Sequence, residues 1–324
     1  MKPISLHGHE RAITKIRYNR DGDLLFSSAK DHSPNVWFSL NGERLGSFEG
    51  HGGAVWDIDC KWDSTNVVTA AADNSCRLWD CETGKELLKW ETKTAVRSCN
   101  FSYSGKQVFY TTDQAMKYHY EMNVVDLNSG NVVFNFVNPG DKSSEKPTCS
   151  LWGPLDETLI TGHDDGRVMK WDLRNPSEAA NWEEPHKQTV NDMQYNIDQT
   201  MIITASKDCS AKLLDAESLE VKKVYKTGRP VNSAAISPIK EHVVLGGGQE
   251  AMSVTTTDAR HGQFQARFFH LIFEEEFAGV KGHFGPINSM AFHPDGKSFS
   301  TGGEDGFIRI QSFDQDYYEF SFDC

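Results

Sequence analysis

Short runs of alternating apolar and polar residues, each followed by a turn signal, occur along the whole chain. In one stretch the runs cover residues 55–60, 66–72, 76–79 and 87–90. Alternation over a few residues is typical of a half-buried β-strand. Asp-Gly, Ser-Gly and Thr-Gly pairs between runs are typical of turns. Since no segment keeps a 3.6-residue apolar period, the pattern predicts an all-β chain.

One set of four residues recurs in the chain at fixed offsets. Each set begins with a histidine, followed by a hydroxyl residue, an aspartate and a fourth residue at constant spacing. The four sets are His9, Ser27, Asp31 and Trp37; His51, Thr69, Asp73 and Trp79; His186, Thr204, Asp208 and Leu214; and His283, Thr301, Asp305 and Gln311. A fifth unit contains Thr161, Asp165 and Trp171 but has Ser143 at the histidine position.

Two weaker units fill the remaining stretches. Their first strands are anchored at Val96 and Val231, each about 41 residues after the matching valine of the preceding unit. Seven units with four short strands each, named a to d in chain order, are the pattern of a β-propeller. The sequence therefore predicts an all-β, seven-bladed β-propeller of four-stranded antiparallel blades, and one domain over residues 1–324.

The Gly-His pairs, turn aspartates and Trp-Asp pairs at these spacings resemble the WD-repeat family. The resemblance implies that the histidine lies in the loop between blades, the hydroxyl on strand b, the aspartate in the b–c turn and the tryptophan on strand c. These side chains are expected to form a buried hydrogen-bonded network, because a buried carboxylate must be paired. We therefore expect the recurring residues to be structural.

The same residue types also occur in serine–histidine–aspartate triads. A triad needs one exposed nucleophile beside an oxyanion hole, whereas this set recurs and its hydroxyl is sometimes Ser and sometimes Thr. The glycine-rich segment 245–250 lacks the Lys-Ser/Thr of a phosphate loop and predicts a tight turn. No metal-binding spacing is present. We expect neither enzyme activity nor a cofactor nor a metal.

The charge balance limits the classes of partner. The chain has 33 Lys and Arg against 46 Asp and Glu, a net charge of −13, which argues against nucleic acid as the main ligand. No run approaches the roughly 20 apolar residues that span a bilayer, and residues 1–9 lack the apolar core of a secretory signal. The cysteines form no CxxC pair. We expect a cytoplasmic protein without a membrane partner.

Two segments compete for the outer strand of the last blade. Residues 2–6 precede the first Gly-His pair, as an outer strand would, and residues 317–322 form a second β-like run. We expect the N-terminal segment to take part in closing the ring. The C-terminal run is expected to extend that blade or to cover its edge.

Several stretches are more specific than any WD repeat requires. They include residues 72–85, 243–252, 264–270 and 281–289. Together they resemble the I-subunit family of eukaryotic translation initiation factor three from end to end, least clearly over 105–148 and 173–200. The resemblance implies a non-catalytic scaffold in a complex that binds the small ribosomal subunit and supports start-codon scanning.

The same resemblance implies partners and contact residues. The partners are the B subunit, through its C-terminal helix, and the G subunit. The family's contact positions correspond to Asp198, Leu213 and Asp215. Because a–b and c–d turns lie at the same end of an antiparallel blade, the two carboxylates are expected on one rim, where an Arg or Lys of a helix can bind them. Ordinary turn aspartates would give the same pattern.

Two other functions are compatible with a propeller. A signalling adaptor at a receptor or kinase complex would have the same fold, and only the specific stretches between residues 243 and 289 favour translation. A propeller enzyme would need one unique polar cluster at the channel mouth, whereas the polar sets in this sequence are repeated ones.

Overall fold

Seven four-stranded antiparallel sheets account for the strands of the described chain. The computed structural model describes residues 3–115, 117–136, 145–175, 179–248 and 264–320. In six sheets the four strands follow one another in chain order, and in the seventh the outer strand comes from the N-terminal segment. The predicted all-β, seven-bladed β-propeller is therefore confirmed.

Strands are numbered in chain order, and blades are numbered from the first complete sheet. Blades 1 and 2 contain β2 (Ile13–Tyr18), β3 (Leu24–Ala29), β4 (Asn35–Phe38), β5 (Arg44–Ser47), β6 (Val55–Cys60), β7 (Asn66–Ala71), β8 (Ser75–Asp80) and β9 (Glu86–Glu91). Blades 3 and 4 contain β10 (Val96–Phe101), β11 (Gln107–Thr112), β12 (Met122–Asp126), β13 (Val132–Asn135), β14 (Pro147–Trp152), β15 (Thr158–His163), β16 (Val168–Asp172) and β17 (Ala179–Glu183).

The remaining strands complete the ring. Blades 5 and 6 contain β18 (Val190–Tyr195), β19 (Met201–Ser206), β20 (Ser210–Asp215), β21 (Val221–Lys226), β22 (Val231–Ile236), β23 (His242–Gly247), β24 (Gln265–His270) and β25 (Glu276–Lys281). Blade 7 contains β26 (Ile287–Phe292), β27 (Ser298–Gly303), β28 (Ile308–Ser312) and β1 (Pro3–Leu6). A 3₁₀ turn over Pro154–Asp156 and an α-helix over Gln315–Glu319 lie outside the sheets.

The N-terminal strand closes the ring, as expected from the sequence. β1 pairs antiparallel with β28, with Ile4 opposite Ile310 and Leu6 opposite Ile308. The Leu6 side chain is 2% exposed and packs with Ile308 and Ile310. Because the last sheet takes its outer strand from the other end of the chain, opening the ring requires breaking a β-ladder.

The expectation of a C-terminal β-run over 317–322 is wrong for residues 317–319. Gln315–Glu319 forms a short helix, and residues 321–322 lie outside the described part. β1 already occupies the outer edge of blade 7, so a further strand has no free position there. The helix instead stacks Tyr317 on Phe313, with ring centroids 3.8 Å apart, and the Tyr317 hydroxyl shares a 3.0 Å hydrogen bond with His242 Nδ1.

A β-bulge occurs near the start of strand a in every blade and leaves one side chain of strand a outside the pairing with strand b. In five blades this side chain donates a hydrogen bond to the first carbonyl of the next strand a. These pairs are Thr14–Val55, Thr148–Val190, Asn191–Val231, Asn232–Ile287 and Asn288–Ile13. In blades 2 and 3 the bulged residues are Trp56 and Arg97, and the guanidinium lies 4.5 Å from the centre of the indole ring.

The inner edge of strand a receives a second set of ties from the preceding blade. The Ile16 N–H donates to Ser289 Oγ at 3.0 Å, and the Met290 N–H donates to Ser233 Oγ at 3.1 Å. Between blades 2 and 3 the acceptors are carboxylates. The Cys99 N–H donates to Asp57 Oδ2 at 3.1 Å, and the Phe101 N–H donates to Asp59 Oδ2 at 2.9 Å. Side chains thus satisfy backbone groups that no neighbouring strand reaches.

Apolar side chains fill the seams between neighbouring blades, and small residues on strand b let the blades approach. A Cβ added at Gly246 would lie 2.3 Å from Met290 Sδ, and one at Gly302 would lie 2.6 Å from Ile13 Cγ2. Both glycines face strand a of the next blade. Close packing at these seams holds the channel-lining strands in fixed positions.

Replacing Leu6 with alanine tests the closure. We expect Leu6→Ala to lower the free energy of unfolding by about 3 kcal/mol, because it leaves a cavity between β1 and β28. Urea unfolding followed by circular dichroism measures the change. Ser5→Ala, on the exposed side of the same strand, is the control and should stay close to wild type. Equal stability of both variants and wild type would contradict closure by β1.

Candidate functional site

The recurring set of blade 2 forms one directional chain of hydrogen bonds. The Trp79 Nε1–H donates to Thr69 Oγ1 at 2.8 Å, and the Thr69 hydroxyl lies 2.6 Å from His51 Nε2. His51 Nδ1 lies 2.9 Å from Asp73 Oδ2. Because a carboxylate only accepts, Nδ1 is the donor, which leaves Nε2 to accept the hydroxyl proton. Two strands, β7 and β8, and two loops are connected in this way.

Blades 1, 5 and 7 repeat the His–hydroxyl–Asp geometry. The distances from the histidine to the hydroxyl oxygen and to the carboxylate are 2.7 and 2.8 Å for His9, 2.7 and 3.0 Å for His186, and 2.7 and 3.0 Å for His283. In blade 1, Trp37 Nε1–H donates to Ser27 Oγ at 2.8 Å. Leu214 and Gln311 take the tryptophan position in blades 5 and 7, so those chains lack the indole donor.

The aspartate of each set also accepts backbone hydrogen bonds from the loop before the blade and from its own b–c turn. Asp73 accepts hydrogen bonds from the Gly52 N–H at 3.0 Å and the Ser75 N–H at 3.1 Å. Burial alone would raise the pKa of this carboxyl, but its hydrogen bonds, led by that from His51, lower the pKa well below the usual range. The same balance lowers the pKa of Asp305 to about 2. These carboxylates are held ionised and join the loop between blades to the b–c turn.

Blade 4 uses a different histidine. Residue Ser143, at the expected position, lies outside the described part of the chain. His163, on strand b, places Nε2 2.9 Å from Thr161 Oγ1 and donates from Nδ1 to the Glu145 carbonyl at 2.8 Å. Trp171 Nε1–H donates to Thr161 at 2.9 Å. Asp165 is not part of this chain of hydrogen bonds.

Asp165 instead holds its own turn. It accepts the Arg167 N–H at 3.0 Å and pairs with the Arg167 guanidinium at 3.2 Å. The role of His163 was not predicted from the repeat. A Gly-His pair at 162–163 was the available signal, but it lies on a strand instead of in the loop between blades.

Blades 3 and 6 are held together by other contacts. Tyr110 of blade 3 stacks on Trp90 of blade 2 with ring centroids 6.4 Å apart. Asp113 forms ion pairs with Arg97 of the same blade at 2.8 Å and with Lys146, which precedes blade 4, at 3.1 Å. Burial would raise the pKa of Asp113, but these cations lower it. The glycine-rich turn predicted in blade 6 runs into residues 249–263, which lie outside the described part.

The hydroxyls of the recurring sets are not accessible to a substrate. Ser27, Thr69, Thr161, Thr204 and Thr301 are each 0% exposed. A catalytic nucleophile has to contact its substrate, so this geometry suits a structural tie and not an acyl-transfer site.

Two of the three predicted partner-binding residues share one rim. Asp198 is exposed in the a–b turn of blade 5, and Asp215 ends β20 at the c–d turn. The Ala216 N–H donates to the Thr200 carbonyl at 2.9 Å, which joins the two turns. Backbone N–H groups, led by that of Ser218, lower the pKa of Asp215, so its carboxylate is ionised.

Leu213 does not lie on this rim. Its side chain is 2% exposed and packs in the apolar cluster between blades 5 and 6. Neighbouring residues of a strand point to opposite faces, and both faces of β20 are covered by adjacent blades. Contact of Leu213 with a partner stays a prediction, and it requires this side chain to leave the apolar cluster.

A groove of about 620 Å³ lies beside the rim, between blades 4 and 5. Asp215 and Glu217 line one side, and Asp172 and Arg174, paired at 2.9 Å, line the other. Lys170 is 8% exposed and donates to Glu217 Oε2 at 3.0 Å. The groove is therefore polar and carries carboxylates on both walls.

The face formed by the a–b and c–d turns, called here the turn face, carries an excess of negative charge. Its cations are Arg20, Lys61, Lys85, Lys106, Arg174, Lys240 and Lys297. Its carboxylates are Asp21, Asp23, Glu43, Asp63, Asp80, Glu82, Asp126, Asp156, Glu157, Asp172, Asp198, Asp215, Glu217, Glu220, Glu241, Glu274, Glu275 and Asp295. A cationic partner is favoured on this face.

No helix within the described ranges is long and apolar enough to cross a membrane. Among the same residues, no group of three or more His, Cys, Asp or Glu side chains is placed to hold a metal ion.

Seven sheets, closure through the N-terminal strand and recurring His–hydroxyl–Asp ties define a WD-repeat β-propeller. The family model EIF3I matches residues 1–323. Proteins named eukaryotic translation initiation factor 3 subunit I are 57% identical in Bombyx mori, over all of this chain and 99% of the relative, and 57% in Culex quinquefasciatus, over the whole of both. The Drosophila melanogaster protein is 55% identical over the whole of both. The chain belongs to the family of eukaryotic translation initiation factor 3 subunit I.

Removal of one network histidine tests the structural role of the ties. We expect His51→Ala to lower the free energy of unfolding by about 3 kcal/mol, because Asp73 remains charged and loses its main partner. Thermal and urea unfolding measure the change. His119→Ala, which removes an exposed imidazole, is the control and should unfold like wild type. An unchanged unfolding curve for His51→Ala would contradict the network.

The buried histidines predict a loss of stability in mild acid. Burial lowers the pKa of His163 and of His186, and lowers that of His242 to about 4. A folded-state pKa below the unfolded value of about 6.5 means that the unfolded chain takes up the proton first. This stability is fully present above about pH 6.5 and is lost as the pH falls toward 4.

The measurement is the urea midpoint at several pH values between about 7.5 and 5. We expect the midpoint to fall with pH in the wild type and to fall less steeply in His163→Gln, which no longer takes up that proton. A midpoint that is constant over this range would show that the buried imidazoles do not titrate as described.

Proposed function

We propose that the chain is a non-catalytic scaffold subunit of eukaryotic translation initiation factor three, acting in the cytoplasm as one domain over residues 1–324. In this role it binds partner subunits and supports recruitment of the small ribosomal subunit and scanning. The observation that carries the proposal is the full-length similarity to proteins named as subunit I of this factor.

The fold supports a scaffold role because its turns are fixed before a partner arrives. In blade 5, the hydrogen bond from Ala216 N–H to the Thr200 carbonyl joins the a–b and c–d turns, and Asp215 accepts two backbone N–H groups of its own turn at 2.9 Å. A surface that is already ordered loses less conformational entropy on binding. Because the hydroxyls of the recurring sets are buried and the rim is rigid, the fold supports partner binding as the activity.

The proposed partner of the rim is the C-terminal helix of the B subunit. Asp198 and Asp215 offer two carboxylates at one end of blade 5, and the turn face around them is acidic. An Arg or Lys on the helix would form charge-assisted hydrogen bonds with them. The G subunit is the second proposed partner. The ribosomal subunit is proposed to be reached through the complex, since the acidic face disfavours direct RNA contact.

Charge reversal at the rim tests this proposal. We expect Asp198→Lys with Asp215→Lys to reduce co-purification of the B subunit at least tenfold, because the carboxylates that receive its cation are replaced by like charges. Pull-down with purified full-length B subunit measures the loss, and circular dichroism verifies the fold.

Blade 2 offers a matched control. Asp63 occupies the same position of the a–b turn as Asp198, and Asp80 the same position of the c–d turn as Asp215. Asp63→Lys with Asp80→Lys changes the net charge equally and should leave B-subunit binding unchanged. Normal co-purification by the blade 5 variant, or an equal loss in both variants, would reject the blade 5 rim as the binding surface.

A further inference from the structure

The seam between blades 4 and 5 contains a buried cation where the other seams contain an apolar side chain. The position lies on strand c, directly before the tryptophan position of the repeat. In blade 4 it is occupied by Lys170, which is 8% exposed. The equivalent residues of the six other blades are buried, apolar and packed against the following blade: Val36, Leu78, Val124, Leu213, Phe268 and Ile310. The repeat therefore does not require a lysine here, and a lysine is rarely buried without a specific partner.

The Lys170 ammonium group binds the c–d turn of blade 5. Its Nζ donates to the Ala216 carbonyl at 3.4 Å, to the Glu217 carbonyl at 3.2 Å and to Glu217 Oε2 at 3.0 Å. Asn181, which lies opposite Lys170 in the β-ladder of blade 4, donates from Nδ2 to the Ser218 carbonyl at 2.8 Å. Blade 4 thus holds three consecutive carbonyl groups of this turn.

Two peptide groups of the turn connect Lys170 to Asp215. The peptide group between residues 216 and 217 accepts a hydrogen bond from Lys170 at its carbonyl, and its N–H donates to Asp215 Oδ1 at 2.9 Å. The next peptide group, between residues 217 and 218, has the same two partners, and its N–H also lies 2.9 Å from Asp215 Oδ1. Because hydrogen bonds in series polarise one another, the cation strengthens both donors to the carboxylate and fixes their direction.

Blade 2 has the same turn without the lysine. Asp80 accepts the N–H groups of Glu82 and Thr83 at 2.9 and 3.1 Å, as Asp215 does in blade 5. Val36 of blade 1 occupies the position of Lys170, and the groove beside it is lined by this side chain and by Phe48. The buried cation is therefore particular to the turn that carries Asp215. Departures from a local rule of the fold are expected at functional sites.

We propose that Lys170 is a positioning residue for Asp215, so that the partner-binding surface of blade 5 is built jointly by blades 4 and 5. Lys170 itself is occupied by the turn, to which it makes three hydrogen bonds. It holds the two peptide groups that fix Oδ1 of Asp215, and no side chain of the described residues donates to Oδ2. A cation of the partner then meets a carboxylate that is already ordered, which lowers the entropy lost on binding.

This inference rests on the proposed function for the identity of the partner. The effect of Lys170 on Asp215 does not depend on any partner, and it is tested separately.

The first experiment measures the carboxylate in the full chain. Lys170→Met keeps the length of the side chain and resembles the apolar residues of the other seams. The Glu217 side chain is 94% exposed, so no buried charge loses its partner, and urea unfolding should stay close to wild type. Backbone N–H groups, led by that of Ser218, lower the pKa of Asp215. We expect an NMR titration to show that this pKa is higher in Lys170→Met, in which Lys222, a further cause of the lowering, is unchanged.

The second experiment measures binding of the purified full-length B subunit. We expect Lys170→Met to weaken it about tenfold, as for the loss of one hydrogen bond to a charged group. Lys170→Arg keeps a cation with N–H donors and should restore most of the affinity. Leu78→Met, at the equivalent position of blade 2, is the control and should bind like wild type.

Three results would overturn the inference. The first is an unchanged pKa of Asp215 in Lys170→Met. The second is normal B-subunit binding by Lys170→Met when Asp198→Lys with Asp215→Lys abolishes it. The third is a loss of binding that is matched by a loss of stability and is not restored in Lys170→Arg, since that pattern indicates a packing effect.

Failure of the proposed function gives a different pattern. Normal B-subunit binding by Asp198→Lys with Asp215→Lys would reject the blade 5 rim as the binding surface. A raised pKa of Asp215 in Lys170→Met would still support its positioning by Lys170.

Discussion

The inner strand of each blade is an edge strand, and the whole ring depends on how its backbone groups find partners. Strand a pairs with strand b on one side only. Its other side faces the channel and the neighbouring blade, where an unpaired N–H costs about as much as a lost hydrogen bond. Serine and aspartate side chains of the preceding blade accept the N–H groups of Ile16, Cys99 and Met290. These hydrogen bonds thus pair the backbone N–H groups of the edge strand and also join neighbouring blades.

The His–hydroxyl–Asp sets lie where strand b turns into strand c, and they complement the hydrogen bonds along the inner edge of strand a. They join the loop before a blade to its b–c turn, whereas the bulged residues and inner-edge side chains join each blade to the next. Blades 3 and 6 lack the set and rely on aromatic packing and on ion pairs such as Asp113–Arg97. Constraint at both ends holds the turns in fixed positions. A fixed turn face is what the proposed function needs, because Asp198 and Asp215 must receive a partner in a defined geometry.

Much of the fold was predictable from the repeat. Fixed offsets between histidine, hydroxyl and aspartate mark four blades, and a fifth unit keeps the hydroxyl and the aspartate. The spacing of about 41 residues between strand anchors supplies the remaining two units. His163 was missed because its imidazole reaches Thr161 from a strand, a contact that depends on the fold and not on the repeat offset. The C-terminal helix was missed because alternation cannot show that β1 already occupies the edge. The burial of Leu213 could not be predicted because the family resemblance that named this position does not show which neighbouring blade covers it.

Native-state hydrogen exchange of the inner-edge amides tests the account most directly. The amides of Ile16, Cys99, Phe101 and Met290 face the channel side of their sheets and bond only to side chains of the preceding blade. If these bonds hold the ring together, the four amides exchange only by global unfolding, at the rate of the amides in the centre of strand b. Exchange as fast as that of the a–b turn amides would show that the blades are not tied at the channel.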